Sequence, residues 1–173
     1  MRVHQAAFYA LVLFFMSAKL TTILLADDHA VVRRGFSMIL AAQWDMQVLA
    51  EVSNGREAVE KAEELQPDVV VMDVTMPELN GIEATRRLLK LSPKTRVLAL
   101  SMHKDSVYVR EILRAGAKGY LLKDSSETEF LKAVRAVAVG QGYLSPEVSD
   151  AVLDDYRKHV TNPIDLLSTR ERE

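Results

Sequence analysis

Three aspartates, one serine and one lysine stand at the ends of apolar runs in this chain. Asp27 and Asp28 follow TTILLA, Asp73 closes DVVVMD, Ser101 follows VLAL, and Lys123 follows GYLL. Carboxylates gathered at one point repel and raise one another's pKa unless a cation intervenes. Mg²⁺ is the natural cation, because it prefers hard oxygen ligands, keeps several waters and bridges to phosphate. Lys123 would add a second positive charge opposite. Such a set can hold a carboxylate nucleophile, Asp73, beside a dianionic group in transfer. Phosphoryl transfer needs chiefly positioning and charge neutralisation. Each residue alone says little: an Asp-Asp pair is more often a helix cap, and a strand-terminal lysine is more often solvated. Only a fold that brings all five to one place makes them a site.

From Thr21 onward, short apolar runs alternate with segments of helical period. TTILLAD reads as a buried strand, and Val31, Val32, Phe36, Ile39 and Leu40 share one face of a helix over residues 29–42. Residues 47–52 predict a second strand, and Asn54 caps a helix that Pro67 stops. The run over 68–74 is continuous and apolar between acids, as suits a central parallel strand covered on both faces. Pro77 and Asn80-Gly81 make a loop before a helix over 82–91. Residues 95–100, 105–115, 118–122 and 126–139 continue as strand, helix, strand and helix. Five strand–helix units predict a doubly wound, five-stranded parallel α/β sheet with right-handed crossovers. Ligands of such sheets sit beyond the carboxyl ends of the strands. Asp27, Asp28, Asp73, Ser101 and Lys123 all fall there.

The composition narrows the classes. The chain has 173 residues, 49% apolar and 27% charged, which suits a soluble globular domain with a tail or the start of a second. Its formal charge of −2 provides no basic footprint for binding DNA by itself. The absence of cysteine excludes disulfides, thiolate zinc sites and cysteine nucleophiles, and suits a reducing compartment. No HExxH, P-loop or GxGxxG pattern is present. Residues 6–18 are apolar except for Ser17, a run shorter than the roughly 20 residues of a spanning helix. Residues 1–18 read as an upstream extension, with Met16 an alternative start. A cleaved signal and a membrane-lying helix are the competing readings.

The segments LLADDHAVVRRGF, DVVVMDVTMPELNGIEATRRL, VLALSMH and GAKGYLLKD resemble the receiver domain of bacterial two-component response regulators, and most closely its NarL/FixJ-type branch. The likeness covers about residues 21–142. The spacings agree as well: 45 residues from Asp28 to Asp73, 28 on to Ser101 and 22 on to Lys123. The resemblance implies a flavodoxin-like (β/α)5 receiver over residues 19–142, and a sensor histidine kinase that donates a phosphoryl group to Asp73. It implies Mg²⁺ held by Asp28, Asp73 and the backbone carbonyl of Thr75, with Asp27 helping directly or through water. Ser101 would hydrogen-bond the phosphoryl oxygens, and Lys123 would pair with the phosphate or with Asp73. Tyr120 would be the aromatic switch. The face of the fourth helix, fifth strand and fifth helix would then change, with Val107, Tyr108, Ile112 and Leu113 turned to a partner or to a second copy in a homodimer. Many receivers have proline after the lysine. Here Asp124 follows, as is common in the NarL/FixJ-type branch, which leaves the geometry of that bond open.

Beyond Gly142 the character changes. Ser145-Pro146 starts a further helix carrying Val148, Val152 and Tyr156, and Thr161-Asn162-Pro163 breaks it, so residues 143–165 are expected to be a helical linker. Residues 166–173 begin a charged helix, and LLSTRERE resembles the opening of the LuxR-type helix-turn-helix domain. The expectation is a cytoplasmic transcriptional regulator that touches DNA only through a domain missing from this chain, with no membrane partner. It would be a phosphoacceptor switch assisting its own phosphorylation and dephosphorylation, and not an enzyme. A stand-alone receiver acting by protein contact is one alternative. A haloacid dehalogenase-type phosphatase is another, but such enzymes want a second acid two residues after the nucleophile, where Thr75 stands. His29 is expected to begin the first helix rather than approach the metal, His103 to face solvent from a loop rather than tune dephosphorylation, and Trp44 and the methionines to fill core or surface.

Overall fold

Val69, Val70, Val71, Met72 and Asp73 form a strand with no exposed face, which places it at the centre of a sheet. The computed structural model describes residues 20–150, 152 and 153. The apolar run over 6–18 and the linker and charged helix expected beyond 153 lie outside the described residues. Six strands occur in chain order: β1 (Thr21–Ala26), β2 (Met46–Val52), β3 (Val69–Asp73), β4 (Arg96–Ser101), β5 (Gly119–Leu122) and β6 (Tyr143–Leu144). Between them run α1 (Ala30–Ala41), α2 (Gly55–Leu65), α3 (Gly81–Leu91), α4 (Ser106–Arg114) and α5 (Glu127–Ala138).

All strand pairs are parallel, in the spatial order β2-β1-β3-β4-β5-β6. The order reverses between β1 and β3, and that crevice is where a doubly wound sheet binds its ligand. Alternation along the strands builds two apolar layers. Leu24, Val70, Met72 and Val97 face one way, onto Ala58, Ala62, Leu88 and Ile112 of α2, α3 and α4. Ile23, Leu25, Val69 and Val71 face the other way, onto Phe36 and Leu40 of α1 and Phe130 and Val134 of α5. The Phe36 and Phe130 rings meet with centroids 4.4 Å apart and tie α1 to α5 beneath the sheet.

Side-chain caps start four of the helices. Asn54, Asn80, Asp105 and Ser126 accept from the backbone amides of Glu57, Glu83, Val107 and Glu129. The loop after β3 turns through Glu78 in the left-handed region, at φ 63°. It then delivers Gly81 against the end of β3, where a Cβ would stand 2.0 Å from the Asp73 carbonyl oxygen. Only glycine allows α3 to begin there.

The sheet has six strands where five are expected from sequence. Tyr143 and Leu144 pair with Gly119 and Tyr120, so the sheet continues past Gly142. Two residues carry no readable period. The strand is held by backbone bonds, Tyr143 N–H to the Lys118 carbonyl at 3.1 Å and Ser145 N–H to the Tyr120 carbonyl at 3.0 Å. No cis peptide occurs among the described residues, so the bond from Lys123 to Asp124 is trans. Met46, Met72 and Met76 lie in the core, whereas Trp44, Met38 and Met102 are exposed.

Candidate functional site

β1 ends beside the middle of the sheet, so its next residue, Asp27, is buried at the crevice between β1 and β3. Its Oδ1 accepts from the backbone amide of His29 at 2.8 Å, an Asx-type turn that leads into α1. Arg33, one turn into that helix, donates to the Asp27 carbonyl. Asp28 points outward and is partly exposed. Asp73, the last residue of β3, is fully buried. Its Oδ1 accepts from Thr75 N–H at 3.1 Å, and its Oδ2 accepts from Lys123 Nζ at 2.7 Å.

Lys123 bridges the two buried acids. Its Nζ also lies 2.8 Å from Asp27 Oδ2. That oxygen is close enough for an ion pair but badly aimed, and it is the one buried side-chain polar atom among the described residues with no hydrogen-bond partner. Burial pushes the Asp73 carboxyl above its ordinary value, against the pull of Lys123 and the Thr75 amide, and the Asp27 charge adds to the rise. For Lys123, burial lowers the pKa, but the attraction of the Asp27 and Asp73 carboxylates outweighs it and the net shift is upward.

Ser101, at the end of β4, is fully buried and accepts from His103 N–H at 3.0 Å through its hydroxyl. Its carbonyl accepts from Lys123 N–H at 2.9 Å, which couples the ends of β4 and β5. Tyr120 on β5 is also fully buried, and its hydroxyl donates to the His103 carbonyl at 2.7 Å. Burial raises its phenol pKa. The His103 ring is exposed, as expected, but stacks on Tyr108 with centroids 4.8 Å apart.

The predicted residues Asp27, Asp28, Asp73, Ser101 and Lys123 therefore meet at one edge, with Thr75 bonded to Asp73 and Tyr120 buried behind, joined to the loop after β4 through His103. Asp27, Asp28, His29 and Asp73 each offer a ligand atom within 4.8 Å of the others. A hard divalent cation fits this oxygen-rich donor set: it would relieve the repulsion among three carboxylates. Two contacts go beyond the reading of these residues as helix starts. His29 opens α1 as its N-cap, yet its Nδ1 also lies 2.8 Å from Asp28 Oδ1. The Ser145 hydroxyl accepts from Leu122 N–H at 3.1 Å, although Ser145-Pro146 signals only a helix start.

A flavodoxin-like sheet with an acid–lysine cluster at its switch point defines the class, a receiver-type α/β domain. The family description "Response regulator receiver domain" matches residues 23–135, and the chain belongs to that family, the response regulators of two-component systems. It is 42% identical over 138 residues to the transcriptional regulatory protein DegU of Brevibacillus brevis, a match covering 80% of this chain and 58% of that protein. It is 41% identical over 159 residues to the oxygen regulatory protein NreC of Staphylococcus haemolyticus, covering 87% of this chain and 73% of that protein. A solved LuxR-family response regulator from Aurantimonas superposes with a TM-score of 0.77 at 33% identity, over 80% of this chain and 99% of that one. The receiver domain of a NarL response regulator from Mycobacterium tuberculosis gives 0.69 at 33% identity, over 71% and 99%. Among the described residues, no helix is long and apolar enough to cross a membrane.

Proposed function

We propose that the chain is a phosphoacceptor switch in which Asp73 takes a phosphoryl group from a sensor histidine kinase. The observation that carries this reading is Lys123 Nζ set between Asp27 Oδ2 and Asp73 Oδ2, at 2.8 and 2.7 Å, beside the exposed Asp28. An Asp73 oxygen bonds to phosphorus as the phosphorus–nitrogen bond of a phosphohistidine breaks, and the imidazole nitrogen keeps the electron pair and takes a proton. Lys123 orients Asp73 and then pairs with the transferred group. The Ser101 hydroxyl, which accepts from His103, would donate its proton to a phosphoryl oxygen. Asp28, Asp73 and the Thr75 backbone carbonyl would hold Mg²⁺, with Asp27 assisting. When bound, it supplies charge neutralisation for the incoming phosphoryl oxygens.

The added charge then biases the loop after β4 and the position of Tyr120, a two-state element governed by local electrostatics. The output we propose is transcription control in the cytoplasm through a C-terminal DNA-binding domain, whose opening the segment LLSTRERE resembles. Relatives named as transcriptional and LuxR-family regulators support that output. A homodimer formed on phosphorylation belongs to the same reading.

Acetyl phosphate with and without Mg²⁺ tests the chemistry. A switch takes up one phosphoryl group per chain, and a chelator abolishes the uptake. Uptake indifferent to chelation, or sustained turnover of a phosphate monoester, would contradict the proposal and favour a phosphatase.

A further inference from the structure

We propose that residues 143–150 form a displaceable cover on the α4–β5 face, latched by Lys104 and Glu147 and released when the loop after β4 moves toward a phosphorylated Asp73. The inference rests on the phosphoacceptor reading above and adds how the signal leaves the domain.

The cover is anchored along its length. Tyr143 and Leu144 lie beside β5 as β6. Ser145 grips β5 twice, donating its N–H to the Tyr120 carbonyl at 3.0 Å and accepting from Leu122 N–H through its hydroxyl at 3.1 Å. Residues 146–150 are helical, and the Ser145 carbonyl accepts from the amides of Val148 and Ser149. A serine at that position ordinarily turns its hydroxyl onto its own helix. Here the hydroxyl is spent on β5, so helix start and strand are joined. Val148 is fully buried in the layer that contains Tyr120, Val109 and Ile112, and Leu144 and Val152 pack on the same layer.

The latch reaches the switch. Lys104 Nζ lies 2.8 Å from Glu147 Oε2. Lys104 adjoins His103, whose N–H is bonded to Ser101 Oγ and whose carbonyl takes the Tyr120 hydroxyl. A shift of Ser101 toward Asp73 therefore draws on His103 and Lys104 together, away from Glu147. Both latch side chains are more than half exposed, so the pair changes the docked-to-undocked ratio by about five-fold at most. Burial of Val148 holds the rest. A weak latch over a firmer apolar anchor lets the cover respond to a small movement without coming loose at rest.

Amide hydrogen exchange of the whole chain, with and without beryllofluoride and Mg²⁺ as the phosphoryl mimic, tests this. Loading is expected to raise exchange at Ser145, Val148 and Ser149 several-fold. Glu147→Gln and Lys104→Met, both surface changes, should each raise exchange there in the unloaded protein by up to about five-fold, and the double variant should add nothing more. Unchanged exchange in these variants, or stronger protection of 143–150 on loading, would overturn the proposal. Failure of the mimic to alter exchange over residues 69–76 would instead sink the phosphoacceptor reading. The two latch variants would still decide whether this ion pair holds the cover.

Discussion

Lys123 Nζ lies 2.7 Å from Asp73 Oδ2 although fifty residues separate them and β4 stands between their strands. The lysine reaches across the end of β4 to a carboxylate that water does not touch. Burial raises the Asp73 pKa by more than Lys123 pulls it down, so it stays raised. A buried carboxylate with a raised pKa beside a specific charge partner marks a candidate functional site.

The raised pKa sets the sign of a pH effect. The folded chain holds the Asp73 proton more tightly than the unfolded chain does, so this group's contribution is fully present below the ordinary value of 3.8 and is lost as pH rises through the folded value. Asp73→Asn removes the term. In metal-free buffer the variant should gain stability relative to the native protein as pH rises from 3.8 through that window. Parallel thermal melts check it; a gap that is independent of pH contradicts it.

Mg²⁺ should stabilise the folded chain by binding it and not the unfolded one, by about 2.7 kcal/mol at a hundredfold excess over the dissociation constant. The melting temperature should rise with Mg²⁺ and fall back with a chelator. Asp28→Asn should shrink the response and Asp73→Asn should abolish most of it.

Gly81→Ala places a methyl 2.0 Å from the Asp73 carbonyl oxygen, where the neighbour is backbone and cannot step aside. The expected cost is about 1–3 kcal/mol in urea unfolding. Phosphoryl uptake should fall as well, because α3 and the end of β3 must separate.

Tyr120→Phe deletes a hydroxyl bonded at 2.7 Å to the His103 carbonyl but leaves the ring in the core. Loss of about 0.5–1.5 kcal/mol is expected. Exchange of the loop amides after Ser101 should rise, while uptake at Asp73 continues.

The site was legible because its residues close apolar runs long enough to show their period. Asp73 ends five wholly buried residues and Lys123 follows four, so the rule that ligands sit at carboxyl ends could select them. Asn54 was legible as a cap from its type and place before a helical run. β6 was not, since two residues define no period and the partner of a short parallel strand is set by tertiary packing. The Ser145 hydroxyl was missed for a related reason: a serine before proline signals a helix start, and nothing local says that its oxygen will serve a strand 23 residues earlier. The contact of His29 with Asp28 likewise depends on how α1 leaves the sheet.

Acetyl phosphate and Mg²⁺ should add one phosphoryl group to the native chain, located by peptide mass analysis on the segment containing Asp73, and none to a folded Asp73→Asn variant. Undiminished labelling of Asp73→Asn would contradict the account.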